Sequence, residues 1–257
     1  MMNHFRNLAI SLLLSVSCAA AQEITVAAAA DLSTTLPEIV AIYTKQTGQT
    51  VKLSFGSSGN LTTQIQNGAP FDIFFSADEE YPRQLIAAGL AHKDTLYRYA
   101  VGRLVLWVPI ASQLDLQKLG IRALLDPSIK KIAIANPQHA PYGRAAEAAL
   151  KHFAIYDQVV TKFVFGENVS QAAQFVESGN AQAGLIALST VLAPAMKDKG
   201  RYWVLPPDSY PALNQAAVVL SRSKQPGAAR KFLEFLRGPE ATSLLKNGGF
   251  SLPAEAR

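Results

Sequence analysis

The stretch LSFGSSGNL, residues 53–61, ends an alternating apolar run in Gly56, Ser57, Ser58, Gly59 and Asn60, a cluster of small and hydroxylic residues with two chemical uses. One is nucleophilic catalysis by a serine; the other is a cradle of N–H and O–H donors for an anion. A nucleophile elbow has the form G-x-S-x-G, and Asn60 stands where the second glycine after Ser58 belongs. A serine nucleophile also needs a histidine base held by an orienting group. His92 and His152 read as helix-end or loop residues, and His139 has no carboxylate in its own loop. The G-x-x-x-x-G-K-[ST] phosphate loop is absent, and no H-x-x-x-H or paired-carboxylate spacing points to a metal. No catalytic residue is therefore assigned, and a secreted serine hydrolase using Ser57 or Ser58 is kept only as the alternative from another class.

Three other segments share the character of this one: Ala29, Ala30, Asp31, Leu32 and Ser33; HAPYGRAA from His139; and GENVSQA from Gly166. Each sits where a strand pattern passes into a helix pattern. The first N–H groups of a helix lack intrahelical partners, and the macrodipole adds about half a positive charge there. Small residues leave the backbone open to close approach by a tetrahedral oxyanion. Capping by Asp, Ser and Asn accounts for any one of these loops alone. Four of them, split between two halves of the chain, point to a shared anion site.

The elements that must position these loops alternate along the chain, which makes the class α/β with mostly parallel sheets flanked by helices. Strand patterns fall on EITVAAAA, TVKLSF, FDIFFSAD, KIAIAN, KFVFG and AGLIALS. Between them, helices are expected from about Leu32 to Gln46, with Leu36, Ile39, Val40 and Tyr43 on one face and Gly48 as the stop, then after Gly56, from about Tyr142 to Phe153, and from about Val169 to Ser178. Asp78 is placed to cap the helix after the third strand. YAVGRLVLWVP, with a flexible point at Gly102, and NQAAVVLSR read as two extended crossings between lobes, and two more helices follow. The lobes are residues 22–102 with 217–257, and residues 103–216, a division that leaves a cleft and gives each lobe enough chain for its own core.

The first 21 residues stand apart. Arg6, an apolar stretch from Leu8 to Val16 and Ala19-Ala20-Ala21 form a secretory signal with cleavage after Ala21, too short for a bilayer span. Its Cys18 is the chain's one cysteine, so the exported part has no disulfide or thiolate site. Lipidation of Cys18 is disfavoured, because Ser15 stands where a large aliphatic residue belongs. The chain carries 24 Lys and Arg against 19 Asp and Glu, an excess that suits a small anion; no Lys/Arg run marks a nucleic-acid surface.

AAADL, FGSSGNLTTQI, NGAPFDIFFSAD, YAVGRLVLW, IAIANPQHAPYGRAA, GENVSQA and GLIALS together make the chain resemble the periplasmic molybdate-binding proteins of ABC importers, over nearly all of it after the leader. The resemblance implies a two-lobed type II periplasmic binding fold, soluble and monomeric, that closes by hinge bending on molybdate, with tungstate as a second ligand. It implies delivery to a membrane permease, no cofactor, no chemistry on the ligand, and no protein atom bonded to the metal itself. Carried over by position, the ligand contacts fall on Asp31 with Ala30, on Ser58 with Ser57 beside it, on Tyr142 through its hydroxyl or its N–H, and on Val169 through its N–H. Sulfate or phosphate is the runner-up ligand.

Two positions depart from the family pattern. Ala187 stands where some members carry a tyrosine donor, a loss for which Tyr142 is placed to compensate, and Asp31 stands where a hydroxyl or amide residue is often found. An ionised carboxylate facing an unprotonated dianion at ~4 Å would repel it by roughly 4 kcal/mol per unit charge pair at an effective dielectric of 20. Asp31 is therefore expected to turn away as a helix cap and present only its N–H; otherwise it accepts a proton from a ligand that carries one, such as phosphate or arsenate.

Overall fold

A computed structural model describes residues 23–253; the expected secretory signal and its Cys18 lie outside the described residues. Among the described residues, ten strands form two five-stranded sheets. The first has the order β2 (Val51–Gly56), β1 (Ile24–Ala29), β3 (Ile73–Ser76), β10 (Leu213–Val219), β4 (Tyr97–Gly102). The second has the order β7 (Phe163–Gly166), β6 (Ile132–Ala135), β8 (Ala183–Ala187), β5 (Leu104–Pro109), β9 (Gly200–Val204). The two orders match position for position, so β1 and β2 in one sheet correspond to β6 and β7 in the other.

Each sheet is mostly parallel, with one strand, β10 in the first and β5 in the second, running against the other four. β1 pairs in parallel with β2 and β3, and β6 with β7 and β8, whereas the pairings of β10 with β3 and β4, and of β5 with β8 and β9, are antiparallel. The antiparallel pairings all involve β5 or β10, the strands on which the chain passes into and back from the second sheet. The parallel strands all end on the same side, where their loops enter helices.

YAVGRLVLWVP is two strands, not one. β4 ends at Gly102 in the first sheet and β5 begins at Leu104 in the second. β9 was missed in the sequence, because its exposed and half-buried residues on a sheet edge show no strong pattern. The helix Thr35–Thr47 buries Leu36, Ile39 and Tyr43, and ends at Gly48 with φ 72°, a left-handed conformation natural to glycine. Ile24, Val26, Ile73 and Phe75 of the first sheet share a core with Leu36 and Ile39, and with Phe232 and Leu245 of the C-terminal helices Pro226–Phe235 and Pro239–Asn247. The second sheet has a separate core around Trp107, Leu106, Ile134 and Leu185.

Candidate functional site

Where β1, β2, β6 and β7 end, their loops meet around one small cavity. Ala30, Asp31, Ser57, Ser58, Tyr142 and Val169 all line it, together with Ala77 after β3 and Ala140 before the helix Pro141–His152. Helix starts converge on it from both sheets: the helix Ser58–Gln66 from the first, Pro141–His152 and Val169–Glu177 from the second. Ser57 and Asn168 cap two of them, accepting from Asn60 N–H at 3.4 Å and Gln171 N–H at 3.0 Å. The N–H groups of Ser58 and Val169, the first helical residues, have no acceptor within their own helices.

Ser58 is buried and its Oγ accepts from the Ala77 N–H at 3.0 Å. That bond occupies the oxygen as an acceptor and leaves the hydroxyl proton to be donated elsewhere. Ser57 Oγ lies 3.0 Å from His139 Nδ1, so the tautomer of His139 decides whether the serine gives or receives a proton there. A carboxylate missing from the His139 loop is supplied by the neighbouring one: Glu167 Oε2 is 3.8 Å from His139 Nε2 and accepts from Asn60 Nδ2 at 2.6 Å.

The expected capping role of Asp31 is corrected by the fold. Its turn is a 3-10 helix, Ala30–Leu32, whose cap position is held by Ala29, with no side-chain cap. The Asp31 side chain instead turns inward: Oδ2 accepts from Gln215 Nε2 of β10, and Oδ1 is fully buried without a hydrogen-bond partner. Burial pushes the carboxyl up to about 6, against the opposing effects of Gln215, Tyr142 and its own N–H.

Gln215 is fully buried and was not singled out in the sequence. Its Oε1 accepts from the Tyr99 hydroxyl at 2.7 Å, which aims Nε2 at Asp31 and, at 3.4 Å, the Tyr142 hydroxyl. Burial, then the nearby Asp31 charge, raises the Tyr142 phenol well above its usual value, so it stays protonated. Gly102 is less a flexible point than a space: a Cβ there would collide with the Tyr142 hydroxyl and come within 2.8 Å of Gln215 Nε2. Ala187 is fully buried at the end of β8 and contributes no donor.

Contacts between loops of the two sheets surround the cavity. Gly59 N–H donates to His139 O at 2.8 Å, Ser170 Oγ to Ala30 O at 2.9 Å, and Ser189 Oγ to Asp31 O at 2.8 Å. On one flank Arg144 Nη2 donates to Asp78 Oδ2 at 2.5 Å and Nη1 to the Tyr81 hydroxyl at 3.2 Å. Asp78 also binds the N–H of Tyr81 at 3.1 Å, close to the expected cap. Among the described residues, no group of three or more His, Cys, Asp or Glu is placed to hold a metal ion.

Two similar sheets whose loops enclose a pocket of N–H and O–H donors define a binding protein that holds its ligand between two halves. The chain belongs to the bacterial extracellular solute-binding proteins, the family whose model matches residues 24–251. Among curated proteins it is 38% identical over 232 residues to molybdate-binding protein ModA of Rhodobacter capsulatus, covering 90% of this chain and 89% of the relative. It is also 38% identical over 238 residues to ModA of Azotobacter vinelandii, covering 92% and 93%. The solved structure of the Azotobacter vinelandii periplasmic molybdate-binding protein matches it with a TM-score of 0.84 at 35% identity, over 90% of this chain and 99% of that one. These relatives are binding proteins.

Proposed function

We propose that this chain is a periplasmic receptor that captures molybdate, and tungstate with it, and delivers the anion to an ABC import permease. The observation that carries this reading is the convergence of helix starts from both sheets on one buried pocket, with the Ser58 hydroxyl free to donate into it. Ser58 and Ser57 supply hydroxyls, Ala30, Asp31 and Val169 supply N–H groups, and Tyr142 supplies its hydroxyl or N–H. No cofactor and no direct bond to the metal are needed. The donors come from two lobes, one built on each sheet, with the return to the first at about Leu213, where β10 begins, rather than at 217, so the anion favours the closed arrangement by bridging them. The permease then distinguishes loaded from empty receptor by that closure. The receptor acts as a monomer.

A thermal-shift panel with molybdate, tungstate, sulfate, phosphate and perchlorate tests the reading. A ligand at 100 times its Kd adds about 2.7 kcal/mol of stability, and the largest shift is expected for molybdate and tungstate. A larger shift with sulfate or phosphate would reassign the ligand, and no shift with any anion would sink the receptor.

A secreted hydrolase has one observation in its favour, the approach of His139 to Ser57 with Glu167 beyond it. Against it, the Glu167 side chain is 63% exposed and outside hydrogen-bond distance of the imidazole. Ser57 already serves as a helix cap. Turnover of ester substrates, abolished in Ser57→Ala, would establish the hydrolase instead.

A further inference from the structure

Asp31 is the one acidic side chain lining the pocket, and it sits there in an arrangement that suits a carboxylic acid better than a carboxylate. It is 2% exposed, and its two oxygens have different surroundings. Oδ2 is held by Gln215 Nε2, whose own orientation is fixed by the Tyr99 hydroxyl bonding Oε1. Oδ1 has no hydrogen-bond partner among the described residues, the nearby Tyr142 hydroxyl favouring the carboxylate without closing a well-formed bond to Oδ1. An ionised carboxylate buried with one oxygen unpaired is costly, and a dianion beside it would be repelled. A protonated carboxyl resolves both difficulties, because Oδ2 keeps its bond from Gln215 while Oδ1 carries a hydrogen to donate.

We propose that Asp31 binds the oxyanion as a neutral acid, with Oδ1–H donating to a ligand oxygen, so that capture of each unprotonated dianion takes up one proton from solvent. The inference rests on the oxyanion-receptor reading above. The balance is one proton and one dianion entering a site whose carboxylate becomes a carboxylic acid, with no bond to the central atom made or broken. The complex then carries one negative charge fewer than the ligand brought in plus the ionised carboxylate. Selectivity follows: a dianion with only acceptor oxygens uses the Asp31 proton, whereas monohydrogen phosphate brings its own and meets an ionised Asp31.

The titratable groups facing Asp31 are few. Tyr142 approaches from the helix Pro141–His152 and Tyr99 from β4, and both phenols are held well above their usual range, so neither titrates near neutrality. Tyr210 adds to the charge felt by Tyr142. Gln215 from β10 and Ser189 from the helix Leu188–Leu192 are uncharged, and no Lys, Arg or His is among the groups that set the Asp31 carboxyl. Further out, His139 touches Ser57, and Asp78, whose carboxyl burial pushes up, is paired with Arg144 and acts on Tyr99. Before binding, the carboxyl titrates near pH 6, so empty receptor is ionised at Asp31 above that pH and protonated below it.

Calorimetry of micromolar molybdate with the full-length exported protein, in buffers of different ionisation enthalpy, reads the proton directly. Uptake close to one per site is expected at about pH 7.5, falling towards zero at about pH 5, with Kd rising about tenfold per pH unit above the carboxyl's own titration. Asp31→Asn keeps an acceptor for Gln215 and offers an N–H in place of the O–H. It should abolish the uptake, flatten the pH profile and bind more tightly than wild type at about pH 8. Molybdate binding without proton uptake at about pH 7.5 overturns the proposal, as does uptake that persists in Asp31→Asn, which would assign the proton to another group. If Asp31→Asn does not fold, the wild-type buffer series still decides. Failure to bind any oxyanion would instead sink the receptor reading, and the proton with it.

Discussion

Gln215 Nε2 donates to Asp31 Oδ2, tying the return strand β10 to the turn after β1 inside the first sheet's half of the pocket. Neither residue is exposed, so this bond and the Tyr99 hydroxyl behind it are shielded from water. The bond eases the burial of the carboxyl without removing its cost, since the group still titrates near 6 rather than at 3.8.

The sign of that cost fixes a stability prediction for the empty protein. With the folded pKa above the unfolded one, the native state binds the proton more tightly, so the carboxyl costs nothing below about pH 4. The penalty grows as pH rises through the window up to about 6 and stays constant above it. A shift of about two units in a fully buried group corresponds to about 3 kcal/mol. Asp31→Asn is therefore expected to stabilise the ligand-free protein by about 2–3 kcal/mol at pH 7.5 and to change it little at pH 4. Urea unfolding at the two pH values checks this, and destabilisation at pH 7.5 that exceeds any at pH 4 would show that the carboxylate is wanted.

Ser58 gives the second prediction. Its oxygen accepts from Ala77 N–H, and the remaining proton is the hydroxyl's contribution to the pocket. Ser58→Ala removes a charge-assisted hydrogen bond and should weaken molybdate binding by about 1.5–3 kcal/mol. The helix keeps its cap, because Ser57 holds the cap position. Calorimetric titration measures the loss, and unchanged affinity would take Ser58 out of the site.

The four loops were legible in the sequence because each joins two local patterns, an apolar strand run and a helical period, through small residues and a hydroxyl or amide. The partners of Asp31 were not. Gln215 looks like one polar interruption of an apolar strand, and its meaning depends on register: it lies opposite Ala100 of β4, one residue along from Tyr99, which brings it beneath the turn after β1. Asp31 misled for the opposite reason. Asp at a helix start is a good cap by local chemistry, but the turn here is a 3-10 helix capped at Ala29, and its burial points the carboxylate inward. The approach of Glu167 to His139 likewise joins two loops of the second sheet that are far apart in sequence, and the Arg144–Asp78 bridge joins residues across the two sheets.

Gly102 carries the last prediction. It ends β4 at the first crossing, and an added Cβ would meet the Tyr142 hydroxyl and Gln215 Nε2, the two groups beside the Asp31 carboxyl. The φ there is not in the left-handed region, so the demand is for room rather than for backbone freedom. Overpacking of this kind costs about 1–3 kcal/mol, and the least constrained response is displacement of Tyr142 from the pocket wall. Gly102→Ala should thus lower both unfolding stability and oxyanion affinity. Gly227, in the first turn of the helix Pro226–Phe235, has nothing within 4 Å of the same added atom and provides the contrast. Gly227→Ala is expected to raise stability by about 0.4–1 kcal/mol by restricting the unfolded chain, with affinity unchanged. Parallel urea and calorimetric measurements on the two variants separate the effects. If Gly102→Ala binds as tightly as the wild type, the Tyr142 hydroxyl does not depend on the space that Gly102 leaves.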